Sequence, residues 1–167
     1  MSRSRLRAAS GGFGFAFFGG PTLVAGVVPW LLTHWHADDQ PWALKLLGVI
    51  VLAIGALLVL ETTARFALQG RGTPAPWAPP ERFVARGSYR FTRNPMYLGV
   101  LALILGQGLL LGRELLFVWA ASAWLIFQLF LLLEEEPGLR RRFGAEYEDY
   151  CARVPRWLPT APRSPRY

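Results

Sequence analysis

The sequence predicts an all-α integral membrane protein of about four transmembrane helices, followed by a C-terminal amphipathic interfacial helix. Three observations carry that expectation. Hydrophobic residues make up 53% of the 167 residues and charged residues only 17%, against roughly 25% charged in soluble domains. The apolar residues gather into runs close to the roughly 20 residues that a bilayer crossing needs. The basic residues, all arginine except Lys45, fall between those runs in an alternating rich and poor pattern.

The first run, 12–35, contains Pro21 and Pro29. Prolines are tolerated in bilayer helices where neighbouring groups take up the carbonyls they free. Arg3, Arg5 and Arg7 precede this run as in a signal peptide. It is longer than a signal core of roughly 7–15 residues, so a retained span is expected. The second run, 42–62, is apolar except for Lys45 and Glu61. The third, 95–111, is short for a bilayer, and the fourth is 115–133. The link Gly112-Arg113-Glu114 makes the last two a tight hairpin.

Between the second and third runs, residues 70–94 hold Gly70, Gly72, Pro74, Pro76, Pro79 and Pro80. Proline fixes φ and supplies no backbone donor, so an ordered, irregular loop is expected rather than a helix. After Glu136, the residues Leu139, Phe143, Tyr147, Tyr150 and Val154 recur at helical spacing. That places one apolar face on a single helix over 137–154, lying on the inner leaflet. The proline- and arginine-rich residues 160–167 are expected to be disordered. No internal repeat appears, and the length suits one domain, 1–167.

The loops set the orientation. Arginines are frequent before the first run, between the second and third, and after the fourth. The first loop instead carries Asp38 and Asp39, and the third only Arg113 beside Glu114. The positive-inside rule then puts both termini in the cytoplasm. Trp30, Trp35 and Trp42 flank the acidic loop as an interfacial belt would. The net charge of +7 fits an anionic inner leaflet and not nucleic acid, because no separate basic domain exists. The lone Cys151 excludes an intrachain disulfide and a cysteine zinc cluster. His34 and His36 lack further ligands in their loop, so no metal is expected.

Two charged clusters abut spans on the cytoplasmic side. The first is Gly87-Ser88-Tyr89-Arg90-Phe91-Thr92-Arg93-Asn94-Pro95-Met96-Tyr97-Leu98-Gly99. Pro95 suits the first turn of a helix, whose free backbone donors would face a carboxylate or phosphate beside Arg93 and Asn94. Gly99 and Gly106 lie seven apart, allowing close approach by a helix or a ligand. The second cluster is Glu134-Glu135-Glu136-Pro137. Carboxylates at a membrane boundary need partners. Arginines such as Arg86, Arg90 or Arg93 would serve, and so would a bound cation.

At these clusters the sequence resembles the isoprenylcysteine carboxyl methyltransferase and phospholipid (phosphatidylethanolamine) methyltransferase superfamily of integral membrane enzymes, in its bacterial form. The residues that carry the resemblance are Gly87 and Tyr89, then Arg93-Asn94-Pro95-Met96-Tyr97-Leu98-Gly99, Glu134-Glu135, Leu139, Phe143-Gly144-Ala145-Glu146-Tyr147-Glu148-Asp149-Tyr150, and Val154-Pro155. They cover about residues 80–159 in order. The Gly72-Thr73-Pro74-Ala75-Pro76 stretch is also similar to bacterial members.

The resemblance implies an S-adenosyl-L-methionine-dependent methyltransferase in a bacterial cytoplasmic membrane, with a lipid or other hydrophobic acceptor entering between spans. Carried over by position, it implies cofactor contacts at Phe83, Val84, Tyr89, Arg93, Asn94, Pro95, Met96, Tyr97, Glu134 and Glu135, within a cytoplasmic loop at 70–94 and the helix ends beside it. Glu134 or Glu135 could act as a base toward an amine. Two positions depart from the pattern. The usual histidine is Asn94, which cannot titrate. The arginine that isoprenylcysteine enzymes carry four residues before the second glutamate is Leu131, which disfavours carboxyl methylation of a prenylated cysteine. Two other readings stand beside this one: methylation of a small membrane-partitioning thiol or amine, and a non-catalytic membrane protein whose clusters only brace helices. Cofactor binding separates the second from the enzyme readings, and labelled methyl groups in extracted lipids separate the first. A transporter is disfavoured, because Gln107 and Gln128 are the strongly polar side chains inside the runs and neither is charged.

Overall fold

The structure, a computed structural model, describes residues 19–65 and 86–160. The start of the first expected span, most of the 70–94 loop with Phe83 and Val84, and residues 161–167 lie outside the described residues. Among the described residues the fold is all-α: α1 (Gly20–Thr33), α2 (Trp42–Arg65), a 3-10 turn (Gly87–Arg90), α3 (Pro95–Leu111), α4 (Glu114–Phe143) and α5 (Ala145–Arg153).

Two of these helices, α2 and α4, are long and apolar enough to cross a membrane, fewer than the four expected; α1 and α3 are apolar but shorter. Local chemistry sets the described ends. Thr33 ends α1, where His34 and Trp35 take positive φ of 46° and 53°. Pro95 opens α3, and Gly112, left-handed at φ 68°, closes it. The hairpin link is as tight as expected, with Gly112 N–H bonded to Gly108 O at 2.9 Å.

The fourth helix runs past its expected end at 133. It widens into a π turn over Leu131–Glu135, where the Glu136 N–H reaches back to Leu131 O, and it continues to Phe143. Pro137 has no N–H to give, and its ring crowds the carbonyl four residues back, so a wider turn just before it relieves the helix. The single amphipathic helix expected over 137–154 is instead two. Gly144, at φ 50° and ψ −124°, folds the chain between the end of α4 and α5. The apolar set survives the fold: Leu139, Phe143 and Cys151 pack against buried Tyr147, Tyr150 and Val154.

Helices α2 and α3 meet backbone to backbone. A Cβ on Gly55 would lie 2.8 Å from Gly99 O, and one on Gly106 would lie 2.9 Å from Gly48 O. Gly48 and Gly55 are seven apart on α2 and face the Gly99 and Gly106 pair on α3. The close approach allowed by the α3 glycines is therefore made by a helix. Small residues at such contacts let apolar helices associate through packing.

Helix α1 is keyed to the bundle by its own irregularity. It carries a π segment, Leu23–Val27. Pro29 supplies no N–H, so the carbonyls four and five residues back, Ala25 and Val24, lose their helical donor. Gln107 Nε2 donates to Ala25 O at 2.7 Å, and Trp119 Nε1 to Val24 O at 2.9 Å. The core beneath is Ala25, Val100, Leu101, Ile104, Leu116, Ala120 and Ala123. Outward, α2 and α4 expose Leu57, Leu60, Leu125, Ile126 and Leu133.

The bundle has two chemically different poles. At one, Arg113 pairs with Asp38 at 3.2 Å and donates to His36 O at 3.0 Å, joining the acidic loop to the hairpin link. At the other pole the ends of α2 and α4 and the start of α3 meet residues 147–160.

Candidate functional site

The charged pole is built from three pieces. The end of α2 fixes the 3-10 turn: Ser88 Oγ donates to Glu61 Oε2 at 2.5 Å, and Arg65 pairs with the same carboxylate. Gly87 takes φ 63°, and a Cβ there would collide with the Arg65 guanidinium and the Glu61 carboxylate. Tyr89 is thereby buried, and its carbonyl accepts the Tyr150 hydroxyl at 2.7 Å. Burial, and then the charge of Glu135, pushes the Tyr89 phenol well above its ordinary value. Burial likewise raises Tyr147 and Tyr150.

The second piece is the start of α3. Asn94 is buried and, at φ −127° and ψ 53°, lies outside the helical region that Pro95 disfavours for it. Its Nδ2 donates to Arg156 O at 3.0 Å. Pro95 and Met96 are buried beneath it, and Tyr97 follows in the first turn. The Tyr97 hydroxyl donates to Glu135 Oε2 at 2.8 Å. Its ring lies 4.6 Å, centroid to centroid, from that of Phe127.

The third piece is the glutamate run. Glu134 is exposed, Glu135 is half-buried beside Tyr97, and Glu136 is only 5% exposed. Arg156 grips Glu136 with a fork, Nε to Oε1 at 2.8 Å and Nη2 to Oε2 at 3.0 Å. Arg93 Nη1 adds a contact to Glu136 at 3.2 Å and donates to Cys151 Sγ at 2.9 Å. The hydrogen bond to Glu136 is the largest influence holding the Arg156 guanidinium above its ordinary value. Arg93 Nε is buried with no hydrogen-bond partner among the described residues.

Of the residues named from the sequence, the structure brings Tyr89, Arg93, Asn94, Pro95, Met96, Tyr97 and Glu135 to this pole, and Glu134 to its rim. Phe83 and Val84 lie outside the described residues. Of the three arginines considered as glutamate partners, Arg93 reaches the run; Arg86 and Arg90 are exposed. Sequence reasoning named Thr92 and Glu136 within their clusters without giving either a separate role, and it missed Arg156. The buried face of α4 runs through Leu116, Ala120, Ala123 and Leu131. Continued at 3.6 residues per turn, it reaches 134 and 135. The π turn adds one residue, so the inward positions become 135 and 136. Pro137 is the sequence signal that could have pointed to it.

An all-α bundle with a long apolar exterior and one pole of converging carboxylate, phenol and guanidinium groups defines a helical scaffold of membrane type. The chain belongs to the phospholipid methyltransferase family, whose model matches residues 44–146. That stretch takes in the glycine-paired helices, Tyr97 and the whole glutamate run, and the family implies methyl transfer to a lipid-type substrate. Over 63 residues the chain is 36% identical to a Haemophilus influenzae protein described as uncharacterized, a match covering 38% of this chain and 100% of that protein. No solved structure matches.

Proposed function

We propose that the protein is an S-adenosylmethionine-dependent methyltransferase, similar to the isoprenylcysteine carboxyl methyltransferases in architecture, that modifies a lipid or other hydrophobic acceptor at the cytoplasmic face of a bacterial inner membrane. The observation that carries the reading is the Tyr97–Glu135 pair at 2.8 Å, inside the family-matched stretch and at the arginine-rich pole. The chain is one domain that crosses the bilayer four times, with both termini inside. The two-pole arrangement supports this, since Asp38 and Arg113 meet at the end poor in arginine.

The residues present fit the cofactor's charges. A carboxylate at Glu135 beside the Tyr97 and Phe127 rings suits a cation. The buried Arg93 Nε suits a carboxylate. When bound, S-adenosylmethionine supplies an electrophilic methyl group on a sulfonium. Tyr89, Arg93, Asn94, Pro95, Met96 and Tyr97 would line its site, Asn94 through its backbone because its side chain is held by Arg156 O; Phe83 and Val84 are further proposed contacts outside the described residues. Glu134 would stand at the rim. Positioning of two reactants supplies about 7–11 kcal/mol of a barrier, so the residues' main task is to orient and to exclude water. Toward an amine acceptor, Glu135 would also take the proton that the nitrogen must lose.

The test is calorimetric binding of S-adenosylmethionine to detergent-purified protein, with Glu135→Gln alongside, followed by transfer of labelled methyl groups to extracted lipids. Binding that weakens in the variant, with label in the lipid fraction, supports the reading. No binding by well-folded wild-type protein, in detergent and again in lipid, would replace it with a non-catalytic scaffold. Label confined to small thiols or amines would replace the acceptor class.

A further inference from the structure

Three consecutive residues at the start of α3 hold three consecutive carbonyls of the segment after α5. Arg93 N–H donates to Pro155 O at 2.9 Å. Asn94 Nδ2 and Thr92 Oγ1 both donate to Arg156 O at 3.0 Å, and Thr92 Oγ1 also reaches Trp157 O at 3.1 Å. Thr160 N–H closes the far end onto Phe91 O at 3.1 Å, and Trp157 Nε1 donates to Gln128 Oε1 on α4 at 2.7 Å. Residues 154–160 are thus a strap, its backbone tied to residues 91–94 just before α3 and its Trp157 and Arg156 side chains tied to α4. The strap lies beyond the family-matched residues 44–146.

The strap delivers one charged group. Fixing the Arg156 carbonyl fixes where its side chain starts, and its guanidinium then forks onto Glu136. Forked pairs between arginine and carboxylate are strong and strictly oriented. Glu135 and Glu136 are neighbours just before Pro137, so one of them must be fully matched by cations for the other to serve a ligand. We propose that Asn94 and Arg156 are positioning residues for the Tyr97–Glu135 pair: they fasten the 154–160 strap across the start of α3, neutralise Glu136 through Arg156, and leave Glu135 as the carboxylate directed at Tyr97. The assignment rests on the methyltransferase reading above. It gives the residue at 94 a definite chemical requirement, a side-chain donor. Aspartate has nearly the same shape but, when ionised, only accepts, and it would face the Arg156 carbonyl with like polarity.

The experiment uses the full-length protein in detergent, with S-adenosylmethionine as the probe. Backbone hydrogen exchange over 154–160 and calorimetric affinity are measured for wild type, Asn94→Asp, Asn94→His, Arg156→Gln and the double variant Arg156→Gln/Glu136→Gln. Asn94→Asp and Arg156→Gln are expected to speed exchange in the strap and weaken binding about tenfold, as loss of a hydrogen bond to a charged group does. Asn94→His, which restores a donor, is expected to stay close to wild type. The double variant, which removes the charge that Arg156 matches, is expected to regain most of the affinity while exchange in the strap stays fast; a merely structural role for the strap would leave affinity low wherever its exchange is fast. Faster exchange in the strap with affinity within about twofold of wild type, well short of the effect a lost hydrogen bond to a charged group has, would overturn the assignment while leaving the methyltransferase reading intact. Absence of binding by folded wild-type protein would overturn both.

Discussion

Arg156 and Glu136, twenty residues apart, form a two-pronged ion pair, with Nε to Oε1 at 2.8 Å and Nη2 to Oε2 at 3.0 Å. One position earlier on the same helix, Glu135 accepts the Tyr97 hydroxyl instead. Among the described residues, adjacent carboxylates therefore hold different posts: one is matched by two arginines, and one meets a single neutral donor.

That difference predicts unequal effects at the aromatic partner. Tyr97→Phe keeps the ring against Phe127 and removes the donor to Glu135. The expected result is a fall of about tenfold in S-adenosylmethionine affinity, the scale of one lost hydrogen bond to a charged group, with little change in thermal unfolding. Calorimetry beside a melting curve checks it. A large drop in the melting temperature with unchanged affinity would make Tyr97 a structural residue only.

The polar keys of α1 can be tested by a rescue. Gln107→Leu leaves Ala25 O buried without its donor, at an expected cost of about 1–3 kcal/mol. Adding Pro29→Ala supplies a backbone N–H four residues on from Ala25 and should recover part of that loss. Thermal unfolding of the single and double variants in one detergent decides it. If Pro29→Ala is equally harmful in both backgrounds, the Gln107 bond is not what compensates the proline.

The glycine contacts predict a strong positional contrast. Gly55→Ala would press a methyl against backbone at Gly99 and Leu103, and neither can move aside; a loss of about 1–3 kcal/mol is expected from overpacking. Gly138→Ala meets nothing within 4 Å. Alanine there should be neutral, or stabilise by up to about 1 kcal/mol through helix propensity. Equal melting temperatures for the two variants would contradict the close approach of α2 and α3.

Alkaline stability follows from the buried phenols. Tyr89, Tyr147 and Tyr150 are all raised above the ordinary value of 10.0, first of all by burial. A raised group keeps its full contribution below its unfolded value and loses it as pH climbs toward its folded value. Stability should therefore hold to about pH 10 on this account and decline above it, where unfolded tyrosines ionise and folded ones do not. Tyr150→Phe should shallow that decline, although it also removes the bond to Tyr89 O. Denaturant midpoints between pH 8 and 11 read the slope; a slope unchanged in Tyr150→Phe would remove Tyr150 from the account.

Much of this pole was legible in the sequence, because its parts are local. Pro95 marks the start of α3, the family resemblance marks Gly87 and Tyr89, and the apolar spacing from Leu139 to Val154 marks a common cluster. What escaped is long-range or irregular. Arg156 looked like one more tail arginine, because nothing local says that its carbonyl is held by Asn94, sixty-two residues away. That Glu136 rather than Glu134 faces inward escaped because a π turn changes the helical count, which no periodicity reveals. Gly144 was read as part of a motif within one helix, whereas its positive φ turns the chain. The bounds expected for α3, 95–111, are those observed, whereas α1 ends at Thr33 rather than 35 because apolar composition does not show that His34 and Trp35 turn left-handed.

The glycine seam between α2 and α3 also constrains traffic. With Gly48 and Gly55 seated against Gly106 and Gly99, backbone lies against backbone and Leu52, Val59 and Ala102 fill the space beside it, so a hydrocarbon tail has no room to slip through. On that flank the molecule is a wall. A greasy acceptor on its way to Glu135 would need its doorway on another side of the bundle, where side chains rather than backbones form the joints and can swing aside.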